Sequence, residues 1–210
     1  MGNDRSKTEL TPQQVIEAYA QGFFPWPYED EPIDWHCPDP RFVLLFENLH
    51  VSKSLEKQIS KKPYEIRLDT CFEQVMRACA EAKRPEQSGT WIREDIFDAY
   101  IGLNKLGLAH SVEAFLDNQL VGGLYGVSLG GIFFGESMFT KAPDASKIAF
   151  VTLVKQLVRW DFDFIDCQAY TDHLARFGAT FWPRKKFLNE LSQSLSKPTR
   201  QGLWRFEHDF

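Results

Sequence analysis

The chain has 210 residues with 43% apolar and 14% aromatic content, enough to fill one ordinary domain plus a small appendage and too apolar for a disordered segment. Its net charge of −5 excludes a globally basic nucleic-acid binder, so any nucleic-acid surface must be a local patch. No apolar run spans a bilayer, no signal-peptide core opens the chain, and Cys37, Cys71, Cys79 and Cys167 form no CxxC pair, so a cytoplasmic protein with free thiols is expected.

Thr11-Pro12 has the order of a helix start, N-cap then proline, and Gly22 is the expected stop. Two aromatic, proline-stiffened pieces follow, Phe23 to Tyr28 and Asp34 to Pro40. Such aromatics either stack on a ligand or plug the seam between a small domain and a large one. The expected division is a small N-terminal domain over residues 1–40 and a larger one over 41–210. A strand is predicted at Phe42 to Phe46. Ser52 should cap a helix reaching about Lys62, with Val51, Leu55 and Ile59 as its apolar stripe. Lys53, Lys57 and Lys61 share that spacing about 200° round the helix, which by itself reads as a solvated face. Tyr64, Ile66 and Leu68 alternate as a strand. Thr70 and Glu73 suggest a capping box for a helix that turns Phe72, Val75, Met76 and Cys79 inward. A polar loop over 82–89 and Trp91 precede a helix carrying Ile96, Tyr100, Leu103 and Leu106 and ended by Gly107.

His110 to Leu116 reads as a strand and Asp117-Asn118 as a turn. From Leu120 to Phe139 two apolar runs flank Gly130-Gly131, the pattern of a β-hairpin. Pro143-Asp144 opens a helix with Ile148, Val151, Val154 and Val158, which leads to a strand at Phe162 to Gln168 and completes a β-α-β unit. Thr171 caps a short helix closed by Gly178, and a last helix near Phe187 to Leu195 leads into a polar tail. The fold class is therefore α+β with a mixed sheet.

Two of these apolar strands contain charge or amide groups. Glu136 lies within the second hairpin strand, where an ionised side chain needs partners, and Asp166 and Gln168 share a face two residues apart. If the strands are neighbours, the three groups converge on a cleft; otherwise each is satisfied separately. Nucleophile elbow, Walker A, HExxH and dinucleotide signatures are missing. His110 and His173 read as structural, and Cys167 should point away from Asp166 into the core.

Several motifs occur in a fixed order: Phe24-Pro25-Trp26, Pro38-Asp39-Pro40-Arg41, Gly89-Thr90-Trp91-Ile92 and Ala109-His110-Ser111-Val112-Glu113. They continue with Val121-Gly122-Gly123-Leu124-Tyr125-Gly126, Gly135-Glu136-Ser137-Met138-Phe139 and Ile165-Asp166-Cys167-Gln168. Over about Leu10 to Leu195 the chain closely resembles the leucyl/phenylalanyl-tRNA–protein transferase family. The resemblance implies an acetyltransferase-like (GNAT) domain with a small N-terminal domain. It also implies transfer of Leu or Phe, and less readily Met, from aminoacyl-tRNA to the N-terminal Arg or Lys of an acceptor protein, which marks the product for proteolysis. Neither cofactor nor metal is implied; partners are the charged tRNA and the acceptor, with no membrane, and the expected state is a monomer.

By the same resemblance Asp166 and Gln168 form the catalytic pair, supported by Glu136. Phe133, Met138 and Ile165 line the donor's side-chain pocket, with Leu124, Phe150 and Leu153 as neighbours. Trp26 and Trp91 hold the terminal adenosine, and in this context Lys53, Lys57 and Lys61 become tRNA-backbone contacts. An activated ester needs only a held, neutral amine, which accounts for the missing signatures. The family usually has a longer Pro/Gly-rich stretch before the segment at Leu10; nine polar residues precede it here, so a shortened N-terminal domain is expected. Rival readings are an acetyl-CoA-dependent acetyltransferase, disfavoured because Thr140 to Ala145 has no glycine to cradle a pyrophosphate, and a catalytically silent tRNA-binding homologue.

Overall fold

The computed structural model describes residues 10–26, 32–82 and 92–206. Thr11 caps helix α1 (Pro12–Ala20) with a full capping box, its hydroxyl accepting from the Gln14 N–H while the Gln14 side chain accepts from the Thr11 N–H. Strands β1 (Phe24–Trp26) and β2 (Asp34–His36) pair antiparallel within the segments read as stiff loops. Strands of three residues, one interrupted by proline, carry no period to detect.

Then follow β3 (Arg41–Leu45), α2 (Lys53–Ile59), β4 (Glu65–Leu68), α3 (Phe72–Glu81), α4 (Glu94–Lys105) and β5 (Ala109–Leu116). The second half contains β6 (Gln119–Leu129), β7 (Ile132–Thr140), α5 (Ala145–Arg159), β8 (Phe164–Gln168), α6 (Asp172–Arg176), β9 (Thr180–Trp182) and α7 (Arg184–Ser194).

Seven strands form one mixed sheet in the order β4-β5-β6-β7-β8-β3-β9, antiparallel except for the pair β7 and β8, which α5 bridges. One core lies between the sheet and α1, α3, α4 and α7; a second lies under α2, α5, α6 and the C-terminal segment. This is the α+β mixed sheet with flanking helices that the sequence implies. Leu10, Val15, Tyr19 and Phe24 join the first core beside residues of α3 and α4.

Two turns follow their sequence signals. Asp117 and Asn118 both take positive φ, 49° and 61°, as a type I′ hairpin requires. At the central hairpin only Gly130 needs the left-handed region, with φ of 55°.

The registers that matter for function are broken ones. Tyr125 lies opposite Ser137 and Gly126 opposite Gly135, so Glu136 is the extra residue of a β-bulge in β7. Val43 pairs with Asp166 and Phe42 with Gln168, which leaves Cys167 as an extra residue in β8. Parallel pairing of β7 with β8 ends at Phe134 and Asp166. Beyond that point β7 continues against β6 and β8 against β3, and a cleft opens where the strands part.

Some expectations fail for local reasons. The Thr70/Glu73 capping box does not form: Cys71 is the N-cap, the Thr70 hydroxyl donates to Glu113 at 3.1 Å, and Glu73 pairs with Arg77. Leu106 and Val158 are exposed because each sits at the last turn of its helix, past the edge of the core. The tail is polar on average but not solvated throughout. Trp204 is 2% exposed, stacks on the His110 ring at 3.7 Å, and donates its backbone N–H to Asp69 at 2.8 Å. Trp204→Ala should therefore cost about 3–5 kcal/mol in urea unfolding, while Leu203→Ala next to it stays within about 0.5 kcal/mol. Equal small effects would show that the tail does not belong to the core.

Candidate active site

The cleft between β7 and β8 has a volume of about 600 Å³. Leu124, Phe133, Met138, Phe150 and Ile165 give it an apolar wall. Phe133 and Met138 are five residues apart, and strict alternation would turn them to opposite faces. The bulge at Glu136 reverses the parity and brings both to the second core. Leu153 is buried in that core behind the wall and does not border the cleft. Trp26 borders the cleft, with the His36 ring 5.9 Å away; Trp91 lies outside the described residues.

Glu136 and Gln168 meet beside the apolar wall. The Gln168 Nε2 donates to Glu136 Oε1 at 3.1 Å. Tyr19 from α1 donates to the same oxygen at 2.6 Å, and Tyr100 from α4 donates to Oε2 at 3.2 Å. The two phenol oxygens are 2.7 Å apart. Burial raises the Glu136 carboxyl from its ordinary 4.5 to about 7; the bonds from Tyr19, Gln168 and Tyr100 oppose the rise and the nearby Asp166 charge adds to it. Burial first, then the Glu136 charge, pushes both phenols well above their usual range, so they remain donors.

With its nitrogen turned to a carboxylate, the Gln168 amide leaves its oxygen without a partner among the described residues. Gln168 has φ of 62°, an unusual conformation for a long side chain. Its backbone N–H donates to Asp166 Oδ1 at 2.9 Å, which holds it there. Asp166 itself is 0% exposed and does not border the cleft. Arg41 takes both its oxygens in a fork, Nε at 2.8 Å and Nη2 at 2.6 Å. The guanidinium lies between the rings of Phe24 and Phe187, 4.5 Å from each.

The structure thus brings Glu136, Asp166 and Gln168 together, with the carboxylates in unlike settings. Cys167 points to the other face, as expected, and also borders the cleft; burial and the Asp166 charge push its thiol far up, which rules out a ready thiolate. Lys53 and Lys57 are exposed on α2, and Lys61 lies just beyond the C-cap Ser60; none of the three borders the cleft. Sequence reasoning missed Tyr19, Tyr100 and Arg41 as site residues. The signal was available: each carries a polar group within an apolar stripe or strand start, and a buried hydroxyl or guanidinium needs a partner.

A family model described as leucyl/phenylalanyl-tRNA protein transferase matches residues 43–192, and one for that family's N-terminal domain matches 8–39. The leucyl/phenylalanyl-tRNA–protein transferase of Myxococcus xanthus (strain DK1622) is 54% identical over 196 residues, covering 93% of this chain and 84% of that protein. The protein of the same name from Anaeromyxobacter sp. (strain Fw109-5) is 55% identical over 196 residues, covering 93% and 83%. A solved structure, "The structure of L-PGS from Bacillus licheniformis", aligns with TM-score 0.40 and 13% identity over 85% of this chain and 62% of that one.

The raised Glu136 carboxyl has a consequence for stability. Folding favours its protonated form, so its contribution is fully present below about pH 4.5 and is lost as pH rises through about 7. Glu136→Gln, neutral at every pH, should remove about 1–3 kcal/mol of that decline between pH 5 and 8 in urea titrations. A residual slope should persist, because burial also raises Glu113 to about 7. Identical slopes in the two proteins would mean that Glu136 ionises without cost.

Proposed function

The chain belongs to the leucyl/phenylalanyl-tRNA–protein transferase family, and from that membership we propose that it transfers an aminoacyl group from aminoacyl-tRNA to the N-terminal amine of a protein. The donors are Leu and Phe, with Met used less readily. The acceptors begin with Arg or Lys, and the new N-terminus marks them for proteolysis. It works as a cytoplasmic monomer. Among the described residues no helix is long and apolar enough to cross a membrane. The division into domains 1–40 and 41–210 draws support from the two family matches, which meet between residues 39 and 43.

One observation carries the reading: an unpaired amide oxygen and a carboxylate adjoin a wall of apolar side chains in one cleft. The wall suits a Leu, Phe or Met side chain, whose burial is worth about 1.5–3 kcal/mol. Phe133, Met138 and Ile165 give this selectivity. Trp26 supports the terminal adenosine by stacking, a role the family resemblance extends to Trp91. The ester is already activated, so the amine nitrogen attacks the carbonyl carbon, the new N–C bond forms, and the ester C–O bond breaks to release the tRNA 3′-hydroxyl. The nitrogen loses one proton and the departing oxygen gains one.

Gln168 orients the attack by accepting an amine N–H at its free oxygen. It is too weak a base to keep the proton. Glu136, with a carboxyl raised to about 7, has an affinity matched to taking it near neutral pH. Asp166 acts through Gln168, whose backbone it fixes, because Arg41 already occupies its oxygens. Among the described residues lining the cleft Glu136 is the only carboxylate, and it favours a cationic acceptor residue. Lys53, Lys57 and Lys61 contact the tRNA backbone at a distance from the chemistry. An acetyl-CoA reading gains no support, since the loop before α5 has no glycine and begins the helix with Asp144.

Labelled Leu carried on tRNA should pass to an Arg-initiated peptide and not to an Ala-initiated one. Gln168→Ala should lower that rate at saturating donor at least 100-fold, the usual scale for a group that positions a reacting atom. In competition, Leu-tRNA should exclude Ile-tRNA, because branching at Cβ crowds the ester; equal incorporation would show that hydrophobicity alone selects the donor. Replacing Lys53, Lys57 and Lys61 with Ala should weaken use of full tRNA and flatten its salt dependence while sparing aminoacyl-adenosine. Equal loss with both donors would move those lysines out of the tRNA-binding role.

A further inference from the structure

The cleft has a polar, cationic corner to which none of these roles assigns a task. It forms where the first turn of α5 meets α6, from Ser146 and Lys147 on one side and Thr171 and His173 on the other. Ser146 is 6% exposed, borders the cleft, and has no hydrogen-bond partner among the described residues. The His173 Nε2 is buried and also unpartnered. Both charged groups that act on His173, Lys147 and Arg176, are cationic; together with burial, the larger cause, they hold its pKa below the ordinary value. Lys147 pairs with Asp144 at 2.7 Å, Asp144 makes no side-chain cap for the 15-residue helix it precedes, and Asp172 beside His173 accepts from the Tyr170 hydroxyl.

A buried histidine nitrogen without a partner and a serine hydroxyl at the cleft, with Lys147 and Arg176 close by, suit an anion. The start of a long helix adds its own positive end to the same corner. An apolar occupant would leave Ser146 and His173 unpaired, whereas a phosphate offers each an acceptor oxygen.

We propose that this corner binds the phosphate joining the donor's terminal adenosine to the nucleotide before it. The inference rests on the transferase reading above and names a further subsite of the same cleft. Trp26 and the apolar wall border this cleft too, so adenosine, aminoacyl group and 5′-phosphate fit one continuous space of about 600 Å³. The rest of the tRNA has a path away from it. Tyr64, three residues beyond Lys61, donates its hydroxyl to the Pro143 carbonyl at 2.7 Å, which sets the end of the lysine ladder beside the loop that leads into α5.

The test compares two minimal donors, 3′-O-leucyl-adenosine and its 5′-monophosphate, with an Arg-initiated peptide as acceptor. The phosphate should raise kcat/KM about tenfold, the scale of one charge-assisted hydrogen bond. In Lys147→Met and in His173→Gln the ratio between the two donors should fall toward one, with Ser146→Ala as a milder variant should either misfold. Calorimetric binding of adenosine 5′-monophosphate against adenosine reads the same contrast without any transfer. Loss of transfer from every donor would therefore overturn the enzymatic reading while still leaving the subsite to be judged. A ratio near one in the unaltered protein overturns the subsite, and so does a ratio that the variants leave unchanged. Variants that alter only the use of acceptors with an acid at their second position would assign the corner to an acceptor carboxylate and overturn it as well.

Discussion

The site depends on the buried ion pair between Arg41 and Asp166. Neither side chain is exposed, and removing one partner from such a pair typically costs about 3–5 kcal/mol because the other is left charged and dry. Its net contribution to stability is smaller than its contribution to geometry. The guanidinium joins β3 to β8, and rings from β1 and α7 cover its two faces. Held in this way, Asp166 can accept the Gln168 N–H and keep Gln168 in a left-handed conformation that its side chain would not otherwise favour. An N-terminal strand, a central strand and the last helix thus act together on one amide.

Around that fixed point the sheet is opened by two extra residues. Glu136 in β7 and Cys167 in β8 each interrupt a ladder, and parallel pairing stops between them at Phe134 and Asp166. A bulge re-aims side chains at no cost in new sequence: it turns Glu136 toward Tyr19, Tyr100 and Gln168 while directing Phe133 and Met138 to the apolar wall. Reactive and apolar surfaces then share one cleft although they alternate along one strand. Placing Glu136 there is unfavourable for the fold and, on the mechanism we propose, useful for proton transfer near neutral pH, the usual relation between a perturbed carboxyl and function.

Much of this was legible in the chain. The apolar run of Ile132 to Phe139, the glycine pair at 130 and 131, the Pro143-Asp144 helix start and the apolar strand before Gln168 announced the hairpin and the crossover because each is a local signal. Polar residues inside those apolar strands marked Glu136, Asp166 and Gln168 for the same reason. The bulges were not legible, since an extra residue is defined only against a partner strand. Arg41 escaped notice because its partner is 125 residues away; Tyr100 read as one position of its helix and Tyr19 was not singled out, since their shared partner Glu136 lies far along the chain. The Thr70/Glu73 box looked sound locally and lost to a tertiary bond from Thr70 to Glu113, and Trp204 found its ring partner in His110. Local grammar thus fixed the elements, while long-range pairing decided which polar groups face one another.

The central claim is that Glu136 receives the proton of the attacking amine and that Tyr19 and Tyr100 set its affinity. Its most direct test is the pH dependence of single-turnover transfer to one Arg-initiated peptide, measured for the unaltered protein and for Tyr19→Phe. The account predicts an acidic limb near pH 7 that moves upward in the variant, because losing a hydrogen bond to the ionised carboxylate raises its pKa. The peptide is the same in both measurements, so its own amine cannot cause the shift. A limb that stays in place in Tyr19→Phe would report that amine alone and contradict the assignment.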